Sequence, residues 1–276
     1  MKTLGTAFKQ VYGEALKEYG FKKIKGKYPY YVRLIGDEIV HVITYAARPK
    51  TREGYKEYSV YGGVATVYRN CIDLDIPIPY NFEWLNSNFE FYKKKNPYED
   101  YGDKSSKWDT FSYKSDDETS LIESLQYALY VTKQIMLPIF DEVNDLKSCI
   151  DFFEIFGSGI LNLYTDKDFG QSYSGGEYNE GLINTMVFDI KQFSERQKKY
   201  FVRNDEYTKY LIQMGWWRLT DEQYEAEKKD SQVLQSRQID KFKSVMDNPV
   251  EYDRIMKELQ RRKEFNTEKL KHYGIK

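Results

Sequence analysis

The chain changes from helical spacing to strand composition at Gly20, and this switch constrains its fold more than any other feature. From Leu4 to Tyr19 apolar residues recur at spacings of three and four, which is typical of a helix with one buried face. Gly20 can adopt the left-handed conformation that ends a helix, and Phe21 then packs back on Leu16 in a Schellman motif. A helix is therefore expected immediately before the first strand.

Two runs rich in β-branched and aromatic residues follow, Tyr30–Ile35 and Glu38–Tyr45, and they flank Gly36-Asp37. This pattern predicts a β-hairpin with a two-residue turn. A third strand is expected over Tyr58–Arg69, where the Gly62-Gly63 pair indicates either a bulge or a close backbone approach. The predicted fold class is α+β, with an amino-terminal helix packed on an antiparallel meander sheet and a mainly helical carboxy-terminal region after it.

The middle of the chain, from Lys93 to Ser120, is polar and rich in turn residues. It predicts a mobile loop with one short strand at Trp108–Tyr113. Ser120 followed by Glu123 is a capping-box pattern, so the next helix is expected to begin with Ser120 as its cap. Pro138 kinks or ends that helix, because proline has no backbone N–H.

The chain is expected to divide near Gly157. Residues 1–157 form the α+β domain, and residues 158–276 form a mainly helical extension that can pack on the first domain. Asn248-Pro249 predicts a helix start in the extension, since proline is favoured at the first helical position. The last ~55 residues are very polar and predict exposed helices or a partner-binding arm. The end of the chain, Leu270–Lys276, repeats the helix-ending pattern of Leu16–Lys22.

Charge and cysteine content exclude several classes of protein. The 42 basic and 43 acidic side chains nearly cancel, so the whole chain has no net attraction for a polyanion or an anionic membrane. Residues 1–50 nevertheless hold 10 basic and 4 acidic side chains, which leaves a local basic patch open. Two cysteines do not make a disulfide framework, and no apolar run is long enough for a membrane span. We expect a cytoplasmic protein without a membrane partner.

A set of structural positions in the first part of the chain forms a recognisable pattern. The positions are Phe8, Leu16-Lys17, Gly20-Phe21-Lys22-Lys23, Tyr31-Val32-Arg33 and Leu137-Pro138-Ile139-Phe140. The pattern resembles a bacterial domain-of-unknown-function family, number four-three-zero-four, over residues 1–155. This resemblance implies a helix against an antiparallel sheet and brings no catalytic residues. It does not extend past Gly157.

No motif for catalysis or for a cofactor occurs in the sequence. A mechanism based on serine or cysteine needs a histidine as base, and the two histidines are His41 and His272. His41 is expected as a half-buried, hydrogen-bonded residue of a strand, and His272 is expected in solvent. Cys71 and Cys149 are too far apart in sequence for a zinc motif. We predict no catalytic residue, no metal site and no cofactor.

Acidic residues supply two weaker patterns. Asp166 and Asp168 begin like a calcium loop, but Gly170 stands where a ligand is required, which disfavours calcium. Asp73 and Asp75 lie on one face if their segment is a strand, and two such carboxylates could carry out acid–base hydrolysis. A carboxylate-dependent hydrolase therefore stays open as a minor alternative.

Two regions supply candidate binding residues. The first is the lysine and tyrosine run after the first helix. Lys22 and Lys23 follow a helix end, where the helix dipole favours cations. The candidates that remain in this run are Lys25, Lys27, Tyr30 and Arg33. The second region is a loop rich in tyrosine, glycine and acids, which suits surface contacts, and its candidates are Tyr164, Asp166, Asp168, Tyr173 and Tyr178.

The function predicted from these patterns is that of a non-enzymatic protein-binding module. The chain lacks catalytic motifs and holds 26 tyrosines, a residue common on recognition surfaces. An immunity protein that neutralises a toxin would be one subtype of this class. The alternative is single-stranded nucleic-acid binding through the basic, tyrosine-rich amino-terminal region, in which lysines hold phosphates and aromatic rings stack on bases.

Overall fold

The computed structural model describes residues 2–48, 53–76, 83–86, 111–156, 182–213, 215 and 217–276. Its first helix, α1, covers Leu4–Lys17. Phe21 N donates to Leu16 O at 3.1 Å, and Gly20 N donates to Lys17 O at 3.0 Å. Gly20 has a φ of +80°, the left-handed conformation of a Schellman motif. The predicted helix end is confirmed.

Six strands of the described residues form one antiparallel sheet. They are β1 (Lys22–Lys23), β2 (Tyr31–Ile35), β3 (Ile39–Ala47), β4 (Tyr55–Thr66), β5 (Glu83–Asn86) and β6 (Phe111–Lys114). The strand order is β1-β2-β3-β4-β5, and β6 pairs with β4 at residues that β5 leaves free. Helix α1 packs on this sheet through Phe8, whose ring lies 4.5 Å from the Tyr45 ring. This arrangement confirms the predicted α+β fold class.

The predicted hairpin joins β2 to β3. Gly36 and Asp37 have φ values of +57° and +60°, and Glu38 N donates to Ile35 O at 3.1 Å. Positive φ at both central residues is the conformation that matches the twist of the flanking strands. The turn residues of the sequence therefore determine where β2 ends.

The Gly62-Gly63 pair allows a helical segment to approach the sheet closely. The pairing of β3 with β4 runs through both glycines in one register, without a bulge. A Cβ atom on Gly62 would lie 2.7 Å from Met136 Sδ and 2.9 Å from Phe140 Cζ. Of the two explanations that the sequence allows, close approach is the one observed.

Four helical segments follow β6, and they differ from the expected boundaries. They are α2 (Glu118–Val131), a π-helical turn (Thr132–Met136), α3 (Leu137–Glu142) and α4 (Leu146–Phe156). The predicted cap at Ser120 is wrong, because Asp117 has extended backbone and its Oδ1 accepts from Ser120 N at 2.9 Å. Pro138 lies in the first turn of α3, where its missing N–H costs little.

The chain divides into two compact units. The first unit contains residues 1–158 and 263–276, and the second contains residues 159–262. Asn266, whose side chain is fully buried, is one of the residues that join the carboxy-terminal segment to the rest of the first unit. Asn266 Oδ1 accepts from Ile72 N at 2.7 Å, and its Nδ2 donates to Val67 O at 2.8 Å and to Arg69 O at 2.7 Å. One amide side chain thus satisfies three backbone groups.

Helices make up the described part of the second unit. They are α5 (Asn184–Val187), α6 (Ile190–Gln213), α7 (Asp221–Met246) and the first part of α8 (Pro249–His272). Helices α6 and α7 are antiparallel neighbours, since Phe193 stacks on Phe242 with centroids 4.0 Å apart and Tyr224 OH donates to Asp205 Oδ1 at 2.5 Å. The helix start at Pro249 is confirmed.

A second Schellman motif ends α8. Ile275 N donates to Leu270 O at 3.0 Å, and Gly274 N donates to Lys271 O at 2.9 Å. Gly274 has a φ of +87°. The similarity between Leu16–Lys22 and Leu270–Lys276 therefore has a structural cause, because both segments end a helix in the same way.

Candidate functional site

Four lysines at the end of the sheet form an exposed cationic surface, which we call the lysine edge: Lys22, Lys23, Lys25 and Lys27. Lys22 and Lys23 form β1, the terminal strand of the sheet, and pair with Val32 and Tyr31 of β2. All four side chains are exposed, and none forms an ion pair with any residue that the structure describes. The lysine edge is therefore a concentration of positive charge without an ion-pair partner in the part of the chain that the structure describes.

One aromatic side chain accompanies the lysine edge. Tyr28 is half-buried, and the Lys27 Nζ atom lies 5.5 Å from the centre of its ring. The Tyr28 ring is in turn 6.2 Å from the ring of Tyr30. A lysine near a tyrosine ring gains a modest cation–π attraction, which holds part of this surface in place.

Tyr30 is a candidate from the sequence that the structure places in the interior. Its side chain is fully buried, and its hydroxyl donates to Ile76 O at 2.5 Å. Burial raises the pKa of Tyr30 far above its ordinary value. Its ring and hydroxyl serve the packing of the first unit and are closed to a base or a partner.

Arg33, a second candidate, is buried and fully engaged. Its guanidinium donates to Asp141 Oδ1 at 2.7 Å and to Tyr19 O at 3.1 Å. Its Nε atom donates to His41 Nδ1 at 3.0 Å, and its charge lies 4.8 Å from the centre of the Phe21 ring. With a side-chain exposure of 8%, Arg33 connects β2 to the turn after α1 and to α3, and it is not presented to a phosphate.

His41 is a structural histidine, as the sequence predicts, although it is fully buried and not half-buried. Its ring stacks on Phe140 with centroids 4.6 Å apart. Burial, and then the positive charge of Arg33, lowers the pKa of His41 to about 3. The imidazole is consequently neutral at physiological pH, and solvent has no access to it. His272 is exposed, as expected.

An exposed tyrosine pair on α2 is a feature that the sequence predictions missed. Tyr127 and Tyr130 are 61% and 60% exposed. They lie one turn apart on the helix face opposite the buried Leu121, Leu125 and Ala128. We call this surface the tyrosine face. The signal for it was present in the helical period, because 127 and 130 fall outside the apolar stripe.

The tyrosine face extends toward the turn that precedes the lysine edge. Lys133, one turn after Tyr130, has its Nζ atom 5.7 Å from the centre of the Tyr19 ring. Tyr19 comes directly before Gly20, and β1 begins two residues later. At the other end, the Tyr127 ring meets Phe111 of β6 edge-on at 6.0 Å. Aromatic and cationic side chains therefore occupy neighbouring surfaces of the first unit.

The acidic pair Asp73 and Asp75 is not arranged for hydrolysis. Their segment is not a strand. Asp73 Oδ1 accepts from Asp75 N at 2.8 Å, and Asp75 Oδ2 accepts from Tyr273 OH at 2.9 Å. Each carboxylate thus has a structural partner. Within the described ranges, no group of three or more histidine, cysteine, aspartate or glutamate residues could hold a metal ion.

Several predicted features lie outside the described residues. They are the candidate loop residues Tyr164, Asp166, Asp168, Tyr173 and Tyr178, and most of the expected mobile loop between Lys93 and Ser120. The short strand expected at Trp108–Tyr113 is described from Phe111 onward, where it is β6. The binding role of the loop around Asp166 stays a prediction.

Comparison of the chain with protein-family models, with curated proteins and with solved structures finds no match. The resemblance to the bacterial family of unknown function therefore stays a prediction. Among the residues that the structure describes, no helix is long and apolar enough to cross a membrane.

Proposed function

We propose that this chain is a cytoplasmic, non-enzymatic protein-binding module whose first unit recognises an acidic partner at the lysine edge. The observation that carries the proposal is the exposed charge of Lys22, Lys23, Lys25 and Lys27, which form no ion pair with any described residue. An acidic surface of a partner would supply the missing counter-charges and would accelerate encounter.

The position of the lysine edge on the sheet favours an extended segment as the acidic element. β1 is the terminal strand in the strand order, and its outer side has no paired strand among the described residues. A strand from another chain can hydrogen-bond to such an edge, while alternate side chains contact the flanking surfaces. Acidic side chains on that segment would lie near the exposed lysines of β1.

The tyrosine face supports a protein in preference to a nucleic acid. Tyr127 and Tyr130 offer exposed rings with hydroxyl groups, a combination enriched in protein interfaces. Stacking on bases would need aromatic rings beside the lysines. Tyr30 and Tyr31 are buried, which leaves half-buried Tyr28 at that position. The single-stranded nucleic-acid alternative retains the lysines but loses most of its stacking platform.

The proposal is tested with two probes of equal net charge, a peptide in which glutamate alternates with threonine and a thymidine oligonucleotide. The protein variants are Lys22→Glu/Lys23→Glu/Lys25→Glu/Lys27→Glu and a matched control, Lys198→Glu/Lys199→Glu/Lys229→Glu/Lys257→Glu, whose lysines are also exposed. We expect the wild type to bind the peptide more tightly than the oligonucleotide. The first variant should lose about tenfold or more in affinity, while the control keeps it.

Two results would overturn the proposal. Tighter binding of the oligonucleotide through the same four lysines would establish the nucleic-acid alternative. An equal loss in both variants would show that the peptide responds to overall charge and not to the lysine edge. Tyr127→Ala/Tyr130→Ala then tests the second surface against any protein partner that binding assays identify, with a loss of affinity expected at unchanged stability.

A further inference from the structure

A thiol and an amine meet where the end of α8 contacts the segment after β4. Lys269 Nζ donates to Cys71 Sγ at 3.3 Å. Cys71 is partly exposed, so small oxidants in solvent can reach it. The Lys269 side chain is 24% exposed and also lies 3.8 Å from Asp73 Oδ2. The pair is thus partly exposed and within hydrogen-bonding distance, and the Asp73 carboxylate beside it orients the amine.

Hydrogen bonds on both sides hold this pair in position. Three residues before Lys269, Asn266 binds Ile72 N and the carbonyls of Val67 and Arg69. Four residues after it, Tyr273 OH accepts from Leu74 N at 3.3 Å and donates to Asp75 Oδ2 at 2.9 Å. The residues 266, 269 and 273 share one helix face. Cys71 and Lys269 therefore stay together without relying on their own weak contact.

We propose that Cys71 and Lys269 form a reversible covalent crosslink when a peroxide oxidises the thiol. In the first step the Cys71 thiolate attacks hydrogen peroxide. The O–O bond breaks, an S–O bond forms, sulfur loses two electrons, and hydroxide leaves, which gives a sulfenic acid. The hydroxide can accept the proton that the Lys269 ammonium must lose before it reacts.

In the second step the neutral Lys269 amine attacks the sulfur of the sulfenic acid. An S–N bond forms, the S–O bond breaks, and the hydroxyl group leaves as water with the amine proton. A backbone nitrogen condenses with a sulfenic acid in the same way. Two equivalents of an added thiol reduce the S–N bond, which restores the cysteine and the lysine and leaves a disulfide of the added thiol.

The crosslink would tie residues 71 and 269 together and lock the end of α8 onto the first unit. A bond between residues so distant in sequence restricts the unfolded chain strongly, so the oxidised protein should melt at a higher temperature. Cys149, the other cysteine, is fully buried and serves as an internal control for selective oxidation.

The test treats the full chain with dilute hydrogen peroxide and analyses an unreduced digest by mass spectrometry. We expect one linked peptide pair containing Cys71 and Lys269, lighter than the two separate peptides by two hydrogen atoms and separated again by dithiothreitol. Lys269→Arg and Cys71→Ser should abolish the link, and Lys271→Arg, the matched control two residues away, should retain it. Circular dichroism checks that each variant is folded.

Three results would overturn the crosslink. Cys71 could oxidise to the sulfinic acid with no linked peptide, a link could form to a lysine other than Lys269, or the Lys269→Arg variant could give the linked pair at the wild-type yield. The melting temperature supplies a second readout, since it should rise on oxidation of the wild type and the Lys271→Arg variant but not of Lys269→Arg.

Discussion

Two helices of the first unit end with nearly the same sequence, yet the lysines that flank the two ends have different surroundings. Leu16–Lys22 and Leu270–Lys276 both form Schellman motifs, with glycines at φ +80° and +87°. Just before the carboxy-terminal segment, Lys263 lies 3.7 Å from Glu38 and Lys269 lies 3.8 Å from Asp73. Inside the two segments the equivalent lysines are both paired, since Lys17 lies 2.6 Å from Glu14 and Lys271 lies 3.6 Å from Glu268. The lysine edge has no such partners among the described residues.

Local sequence thus determines the helix end and its i,i+3 ion pair, but not the pairing of the lysines that flank it. The same helix-ending residues give the same backbone in both places. Whether a lysine is neutralised depends on which acidic residues the fold brings near it. A basic segment is thus a binding candidate only after its internal partners are known.

Removing the anchor of the carboxy-terminal segment should have the largest effect. In Asn266→Leu, the Ile72 N–H and the Val67 and Arg69 carbonyls lose their partner inside the protein. We expect the free energy of unfolding to fall by roughly 4 kcal/mol, because each unpaired buried group costs 1–3 kcal/mol. Urea unfolding measures the change. Glu268→Ala, an exposed position on the same helix, should change it by less than about 1 kcal/mol.

His41, which accepts a hydrogen bond from Arg33, should make the free energy of unfolding depend on pH. The pKa of His41 is lowered from 6.5 to about 3, so the unfolded chain binds a proton below pH 6.5 that the folded chain does not. The contribution of neutral His41 to the free energy of unfolding is fully present above pH 6.5. It falls as the pH decreases toward 3, by at most about 1.4 kcal/mol per pH unit.

The measurement is the difference in unfolding free energy between wild type and His41→Asn, which keeps an acceptor for Arg33 but does not titrate. We expect this difference to shrink steadily between pH 6.5 and pH 4. His272→Asn is the control, because His272 is exposed. A difference for His41→Asn that is constant with pH would contradict the effect.

The two Schellman glycines should respond equally to substitution. A Cβ atom at Gly20 or Gly274 meets no other atom within 4 Å, so the cost of alanine is the strain of its left-handed conformation alone. We expect Gly20→Ala and Gly274→Ala each to lower the free energy of unfolding by about 1 kcal/mol. Clearly unequal losses would show that the two helix ends are not equivalent.

The smallest effect on stability is expected at the lysine edge. The variant Lys22→Ala/Lys23→Ala/Lys25→Ala/Lys27→Ala should change the free energy of unfolding by less than about 0.5 kcal/mol, since no described ion pair is lost. Lys263→Ala/Lys269→Ala/Lys271→Ala, which removes three surface ion pairs, should cost about 1–2 kcal/mol. Equal losses of unfolding free energy in the two variants would show that the three ion pairs do not add to stability.

The candidate site was predictable only in part. Lys25 and Lys27 were expected at the surface and are found there, whereas Tyr30 and Arg33, chosen on the same grounds, are buried. Side chains alternate between the two faces of a strand, but the sequence did not show that both faces of this sheet would be covered. The tyrosine face was not predicted, because the apolar stripe of α2 shows which side of the helix is buried but not whether the opposite side binds a partner.

The sequence by itself determined the helix ends, the hairpin turn, the need for glycine in β4 and the α+β class. These features depend on residues close together in the chain, or on a backbone conformation that few residues tolerate. The tertiary structure alone decided that Asn266 satisfies the segment after β4, that Cys71 meets Lys269, and that Arg33 pairs with Asp141. Those contacts join residues more than 100 positions apart, and no local pattern records which distant groups will meet.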